Sequence, residues 1–221
     1  MRRFPLLLAA LILLPAARAG ATVIYETYRV PTVGGKAISV DVMRDDAAKG
    51  PVPVLLTYSP YNAEVTGMPG ENLADDSYGA SFVPHGYARA VADVLGTRAS
   101  GGCWDYGGPK ETQSGVDLVK FLAARPWANG NVGMIGTSYD GTTANMVASQ
   151  GDKVPELKAI VPIAAITRWY DYAYGNGVRY FGNSQSATDE GIDTPLAFDT
   201  STPTRCRRQT VRSSRASRWI A

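Results

Sequence analysis

The chain has 221 residues, of which 45% are hydrophobic and 19% charged, enough for one α/β domain with a sizeable core. A single histidine excludes a His-rich zinc site, and no metal-ligand spacing occurs elsewhere. The net charge of +2 hides an asymmetry: without six arginines after Thr200 and three in the leader, 13 basic residues face 20 acidic ones. That body, at about −7, does not seek nucleic acid.

Arg2 and Arg3 precede the apolar run Leu6 to Leu14, and Ala17-Arg18-Ala19 is a small-x-small cleavage pattern. Residues 1–19 read as a secretory signal peptide, which predicts a secreted or periplasmic chain without stable membrane association. The alternative is an N-terminal anchor, although the apolar run is short for a membrane span. Val23 to Val30 alternates as a half-exposed strand does, Gly34-Gly35 marks a hairpin turn, and Ile38 to Arg44 alternates again and should pair back. Val54 to Tyr58 reads as a buried strand, broken by Ser59-Pro60-Tyr61-Asn62. Residues 62–80 have no period and predict a long surface loop. Ser81 to Gly86 ends a short helix, and Tyr87 to Asp93 is the next strand. Gly96 to Gly108 is a glycine-rich loop holding Trp104, Asp105 and Tyr106. Ser114 to Leu122 carries apolar residues at helical spacing and predicts a helix packed on the sheet.

The chain turns on Val132 to Gly141, a short apolar run that ends in Gly136-Thr137-Ser138-Tyr139-Asp140-Gly141. The helix-like segment Thr142 to Ser149 follows at once. Strand, sharp turn and helix are the context of a nucleophile elbow, in which a strained serine stands clear of the sheet. Gly136 and Gly141 would let strand and helix approach, and the helix N-terminus would offer N–H groups to a developing oxyanion. The second glycine comes one residue later than in Gly-x-Ser-x-Gly. The competing reading is a serine N-cap on a core helix. Leu157 to Ile163 reads as another buried strand, and Trp169-Tyr170-Asp171-Tyr172-Ala173-Tyr174 opens an aromatic region without sheet periodicity. Strands alternating with helices describe an α/β-hydrolase core: a mostly parallel sheet, helices on both faces and an N-terminal antiparallel hairpin.

Five ordered motifs carry a family resemblance over residues 23–199. They are Ser59-Pro60-Tyr61, Gly96 to Gly102, Trp127 to Met134, the elbow itself and Trp169 to Tyr172. Together they resemble the Xaa-Pro dipeptidyl-peptidases, serine peptidases whose wider family includes cocaine esterase and related acyl esterases. Cys103 to Gly108 leans toward the peptidase branch. The resemblance implies Ser138 as the acylated nucleophile, with the Tyr139 N–H and the Tyr61 hydroxyl as oxyanion donors. It also implies Trp169 and Tyr172 as walls of a pocket for the penultimate proline, and Glu190 or Asp189 as partner of the substrate ammonium. Plainer readings stand beside these: a turn tyrosine at Tyr61, core packing at Trp169 and Tyr172, solvated acids at 189 and 190. The implied substrates are peptides with a penultimate proline, and no metal or cofactor is implied.

In this fold the triad acid and histidine follow the nucleophile. Here the only histidine, His85, precedes Ser138, and no convincing core strand follows Ile163. Residues 20–199 therefore read as the N-terminal part of a catalytic domain, apparently truncated. The chain is expected to turn over little or nothing. Residues 200–221, rich in arginine, read as a frameshifted or truncated end, with a basic arm as the alternative. A disulfide between Cys103 and Cys206 is given little weight because Cys206 lies in that tail. An acyl esterase of the same family and a non-catalytic peptide-binding pseudoenzyme remain competing functions.

Overall fold

A computed structural model describes residues 22–62, 73, 76–104 and 107–179. The signal-peptide segment, Asp189, Glu190, Cys206 and the arginine-rich tail lie outside the described residues. Six strands form one sheet in the order β1-β2-β4-β3-β5-β6. β1 (Val23–Thr32) and β2 (Lys36–Asp45) make the expected antiparallel hairpin, with Val23 opposite Asp45 and Thr32 opposite Lys36. Gly34 and Gly35 turn the chain between them with φ of 66° and 67°, values at which a side chain would be strained. β2 pairs antiparallel with β4 (Ala88–Asp93). From there the sheet is parallel: β4 with β3 (Val52–Ser59), β3 with β5 (Ala128–Thr137), and β5 with β6 (Leu157–Ile163).

The period of two along each strand sorts side chains onto two unlike faces. On one face Ile38, Val40, Val42, Val54, Leu56, Ala90, Ala92 and Met134 pack under α2 (Pro109–Ala123) and α3 (Tyr139–Ala148). Leu118, Val119 and Leu122 of α2 and Ala144 and Val147 of α3 complete that core. On the other face lies a smaller cluster of Met43, Leu73, Val83 and Val91, beside α1 (Ser77–Phe82). The intervening positions of that face are charged. Arg89 is fully buried and donates to Asp76 (2.6 Å), Leu55 O and Thr57 Oγ1. Arg98 bridges the buried Asp41 (3.1 Å) and Asp93 (2.9 Å).

Two expectations are corrected. Residues 62–80 are not wholly a surface loop. Leu73 is buried, and Asp76 caps α1 by accepting the Gly79 N–H at 2.7 Å. β6 is not a buried strand: Val161 and Ile163 are exposed, and only Leu157 and Ile160 pack against the core. The reason is position. Among the described residues β6 has a partner strand on one side only. The aromatic region after it forms α4 (Trp169–Ala173), which leads into a two-stranded ribbon, β7 (Tyr174–Gly175) and β8 (Val178–Arg179). Cys103, whose bridge was given little weight, is disulfide-bonded.

Candidate active site

The parallel strands β3, β4, β5 and β6 all point their C-terminal ends to one edge of the sheet, where open α/β sheets bind ligands. β5 delivers Ser138 to that edge. Ser138 is exposed and adopts φ 60°, ψ −120°, a conformation a serine takes only where its surroundings enforce it. Its N–H donates to Ile163 O at 2.8 Å, and its carbonyl accepts the Thr142 N–H at 3.0 Å, so strand β6 and helix α3 fix it from both sides. Ser138 occupies the N-cap position of α3 but makes no side-chain capping bond. A capping serine has extended dihedrals and turns its hydroxyl onto the helix. The N-cap alternative therefore fails on both counts, and the hydroxyl is left outward.

The two glycines are required by contact. A Cβ at Gly136 would sit 2.4 Å from Asp140 Cβ, and one at Gly141 would sit 2.8 Å from Gly136 O. Strand end and helix start touch backbone to backbone, which keeps the turn tight.

Tyr61 arrives from the neighbouring strand, two residues beyond β3. Its ring packs edge-on to that of Tyr139, with centroids 6.3 Å apart, which sets it beside the start of α3. Burial raises its pKa, its neighbours Ser138 and the Tyr139 backbone pull it down, and the nearby Asp140 and Tyr172 raise it further. A phenol that stays protonated can donate, so the Tyr61 O–H and the Tyr139 N–H are the two candidate donors of a cradle beside Ser138. The Tyr61 backbone is held as well: its N–H donates to Ser59 Oγ at 3.0 Å, and the next side chain, Asn62, donates to Asp93 Oδ1 at 2.6 Å.

Behind the cradle the Tyr139 ring is buried. Its hydroxyl donates to Glu111 Oε2 at 3.0 Å and accepts the Trp104 indole N–H at 2.9 Å. Burial first, then the Glu111 carboxylate, pushes the Tyr139 phenol well up. Glu111 Oε2 also accepts the Gly107 N–H at 3.1 Å, which ties the glycine-rich loop to the elbow. Trp169 packs 5.8 Å from the Tyr139 ring and 6.2 Å from Tyr172, and a Cβ at Gly107 would strike its indole at 2.6 Å. Trp169 is half-buried and Tyr172 exposed, so the pair forms an aromatic wall with one face in solvent.

Sequence reasoning named Ser138, Tyr139, Tyr61, Trp169 and Tyr172, and the fold gathers these five into one cluster. It passed over Ser59, Glu111 and Asp140. Burial lifts the Asp140 carboxyl to about 6, against the opposing pull of the Ser59 hydroxyl and Arg89. His85 is no part of the cluster. It precedes β4 at the opposite edge of the sheet, exposed, with Nδ1 2.8 Å from Ser81 O, as its reading as a capping or surface residue expected. Among the described residues no group of His, Cys, Asp and Glu could hold a metal ion, and no helix is long and apolar enough to cross a membrane.

Sheet order and the strand–turn–helix elbow are those of an α/β-hydrolase fold. The family described as X-Pro dipeptidyl-peptidase (S15 family) matches residues 34–217, and the chain belongs to it. A Streptomyces avermitilis protein assigned by name to the Xaa-Pro dipeptidyl-peptidases is 36% identical over 195 residues, covering 72% of this chain and 28% of that protein. Cocaine esterase of a Rhodococcus species is 36% identical over 142 residues, covering 64% of this chain and 23% of the esterase. Among solved structures, an α-amino acid ester hydrolase is 28% identical with a TM-score of 0.54 over 68% of this chain and 26% of its own. A CocE/NonD family hydrolase from Staphylococcus aureus superposes with a TM-score of 0.67 over 85% of this chain and 36% of its own; at 21% identity it speaks for the fold alone. The chain thus spans between about a quarter and a third of the length of these proteins.

Proposed function

We propose that this chain carries the nucleophile and oxyanion half of a secreted Xaa-Pro dipeptidyl-peptidase, which releases Xaa-Pro dipeptides from peptide N-termini. The observation that carries the proposal is the strained, uncapped Ser138 with the Tyr61 hydroxyl and Tyr139 N–H beside it. Ser138 Oγ attacks the proline's own carbonyl carbon, and its proton passes to a base, which hands it on to the departing amine nitrogen. The carbonyl oxygen becomes an oxyanion that accepts from Tyr61 O–H and Tyr139 N–H. Collapse expels the amine of the remaining peptide and leaves the Xaa-Pro acyl group on Ser138 as an ester. Water then hydrolyses that ester and regenerates the hydroxyl. Trp169 and Tyr172 offer flat faces to the proline ring. Glu190, or Asp189, is the proposed partner of the substrate's free ammonium.

The single histidine, His85, lies at the other edge and cannot serve Ser138 as its base. This chain by itself is accordingly expected to turn over peptides little or not at all. A second reading, an acyl esterase, is favoured by the similarity to cocaine esterase and to the ester hydrolase.

Boronic acids add to a serine oxygen and place a tetrahedral oxyanion mimic in the cradle without needing turnover. The test is therefore calorimetry with a dipeptide boronate whose proline carboxyl is replaced by boron, against a short alkyl boronic acid. Dipeptide binding at least about tenfold tighter, lost in Ser138→Ala, supports the peptidase reading. Preference for the alkyl compound supports the esterase. Equal binding of both by Ser138→Ala would overturn the site.

A further inference from the structure

Resting on the reading of Trp169 as a wall of the substrate pocket, we propose that Glu111 is a positioning residue: one of its carboxylate oxygens holds both surfaces against which the Trp169 indole rests. Those surfaces are the Tyr139 ring, 5.8 Å away between centroids and tilted by 56°, and the backbone of Gly107, where a Cβ would strike the indole at 2.6 Å. Glu111 Oε2 accepts the Tyr139 hydroxyl at 3.0 Å and the Gly107 N–H at 3.1 Å. Trp169 depends on such support. It opens α4, a helix of five residues, and a helix that short does not hold itself. Trp169 is also the half-buried member of the wall, with the exposed Tyr172 beyond it at 6.2 Å.

The carboxylate suits this task. Glu111 is fully buried in the first turn of α2, where the partial positive charge of the helix N-terminus favours an anion. A buried carboxylate is stable only while donors face it, so its satisfied bonds are held firmly. The Tyr139 hydroxyl has one proton to give. Trp104 donates to the oxygen of that hydroxyl at 2.9 Å, which turns the proton toward Glu111. The donor chain thus runs from indole to phenol to carboxylate and ends on the atom that also takes the Gly107 N–H. The bond from Gly107 is local to the start of α2 and by itself would only finish that helix. The bond from Tyr139 spans 28 positions and joins α2 to α3, so it makes the aromatic wall part of the elbow. Trp169 therefore takes its place from the residue next to the nucleophile rather than from its own short helix.

The test labels the whole chain with fluorinated tryptophan and reads its four indoles by fluorine NMR, Trp169 being assigned by the loss of its signal in Trp169→Phe. Affinities for the dipeptide boronate and the alkyl boronic acid are measured in parallel. Glu111→Ala should displace the Trp169 signal and lower the preference for the dipeptide boronate about tenfold, the worth of one aromatic contact. The signal of Trp127, which precedes β5 at the opposite edge of the sheet, should stay in place. Glu111→Gln keeps an oxygen for both donors and should restore both readings. An unmoved Trp169 signal in Glu111→Ala, an equal displacement of Trp127, or a Gln variant as impaired as the Ala variant would overturn the proposal. If Glu111→Ala does not fold, Tyr139→Phe decides the matter: it cuts the long-range bond alone, leaves Gly107 held, and should displace the same signal. A wild-type chain that binds both boronates alike defeats the pocket reading, whereas the Trp169 signal still decides the role of Glu111.

Discussion

The two faces of the sheet are built on opposite plans. Under α2 and α3 the core is apolar, with Leu56, Leu118, Leu122 and Met134 all buried. The α1 face buries ions instead: Arg89 with Asp76, and Arg98 between Asp41 and Asp93. Apolar contact is non-directional and tolerates exchange of similar volumes, whereas buried ions need each partner in place. The site lies where the plans meet. Ser138 and Tyr139 start a helix of the apolar face, and Tyr61 and Asn62 follow a strand whose Ser59, Thr57 and Leu55 touch the charged one. Stability on one face and fixed geometry on the other are thus joined at the elbow.

The sharpest way to break this comparison is to cut one ion pair. Asp76→Ala leaves Arg89 buried without its carboxylate and removes the α1 cap, and should cost about 3–5 kcal/mol in urea unfolding. Adding Arg89→Met should recover most of that loss, because the stranded charge is gone. A double variant as unstable as the single one would show that burial of charge is not what matters there. On the apolar face Leu118→Ala should cost about 2–5 kcal/mol through its cavity, unchanged between pH 5 and 8 and additive with Asp76→Ala.

Smaller is the effect of Asp140, in the first turn of α3. Burial lifts its carboxyl from 3.8 to about 6, so between those values the folded chain keeps a proton that the unfolded chain has lost. Its contribution to stability is complete below the unfolded value and is lost as the pH rises through the folded one. Asp140→Asn should therefore be about 1–2 kcal/mol more stable than wild type at pH 7.5, after allowance for its partial exposure, with no gain at pH 3.5. An equal gain at both pH values would refute this. The smallest effect belongs to the exposed side of β6, where Val161→Thr should change stability by less than about 0.5 kcal/mol. A larger loss would mean that Val161 is covered.

The apolar face was legible from sequence because its signal is periodic. The alternation of Ile38, Val40 and Val42 and the helical spacing of Leu118, Val119 and Leu122 each reduce to one repeating rule. The elbow was legible because Gly136, Ser138 and Gly141 must stand in fixed order between a strand and a helix. The charged face was not, since Arg89 meets Asp76, and Arg98 meets Asp41, only after the strands have paired. Periodicity also misjudged β6, whose apolar run reads as buried until sheet order places it at an edge. The same limit hid Ser59, Glu111 and Asp140, ordinary residues whose partners come from other elements. Tyr61 was named across that gap because the position after the third strand is where this fold takes its second oxyanion donor, and the fold sets its ring 6.3 Å from that of Tyr139.

The central claim is that Ser138 is the nucleophile and that the fold, rather than chance, has turned its hydroxyl outward. It is tested most directly by exposing the purified chain to a fluorophosphonate at pH 8 and mapping the peptides by mass spectrometry. A single adduct on Ser138, absent from Ser138→Ala and formed about a hundredfold more slowly in Tyr61→Phe, is the predicted result. An adduct on another hydroxyl with Ser138 unmodified, or no adduct at all, would contradict it.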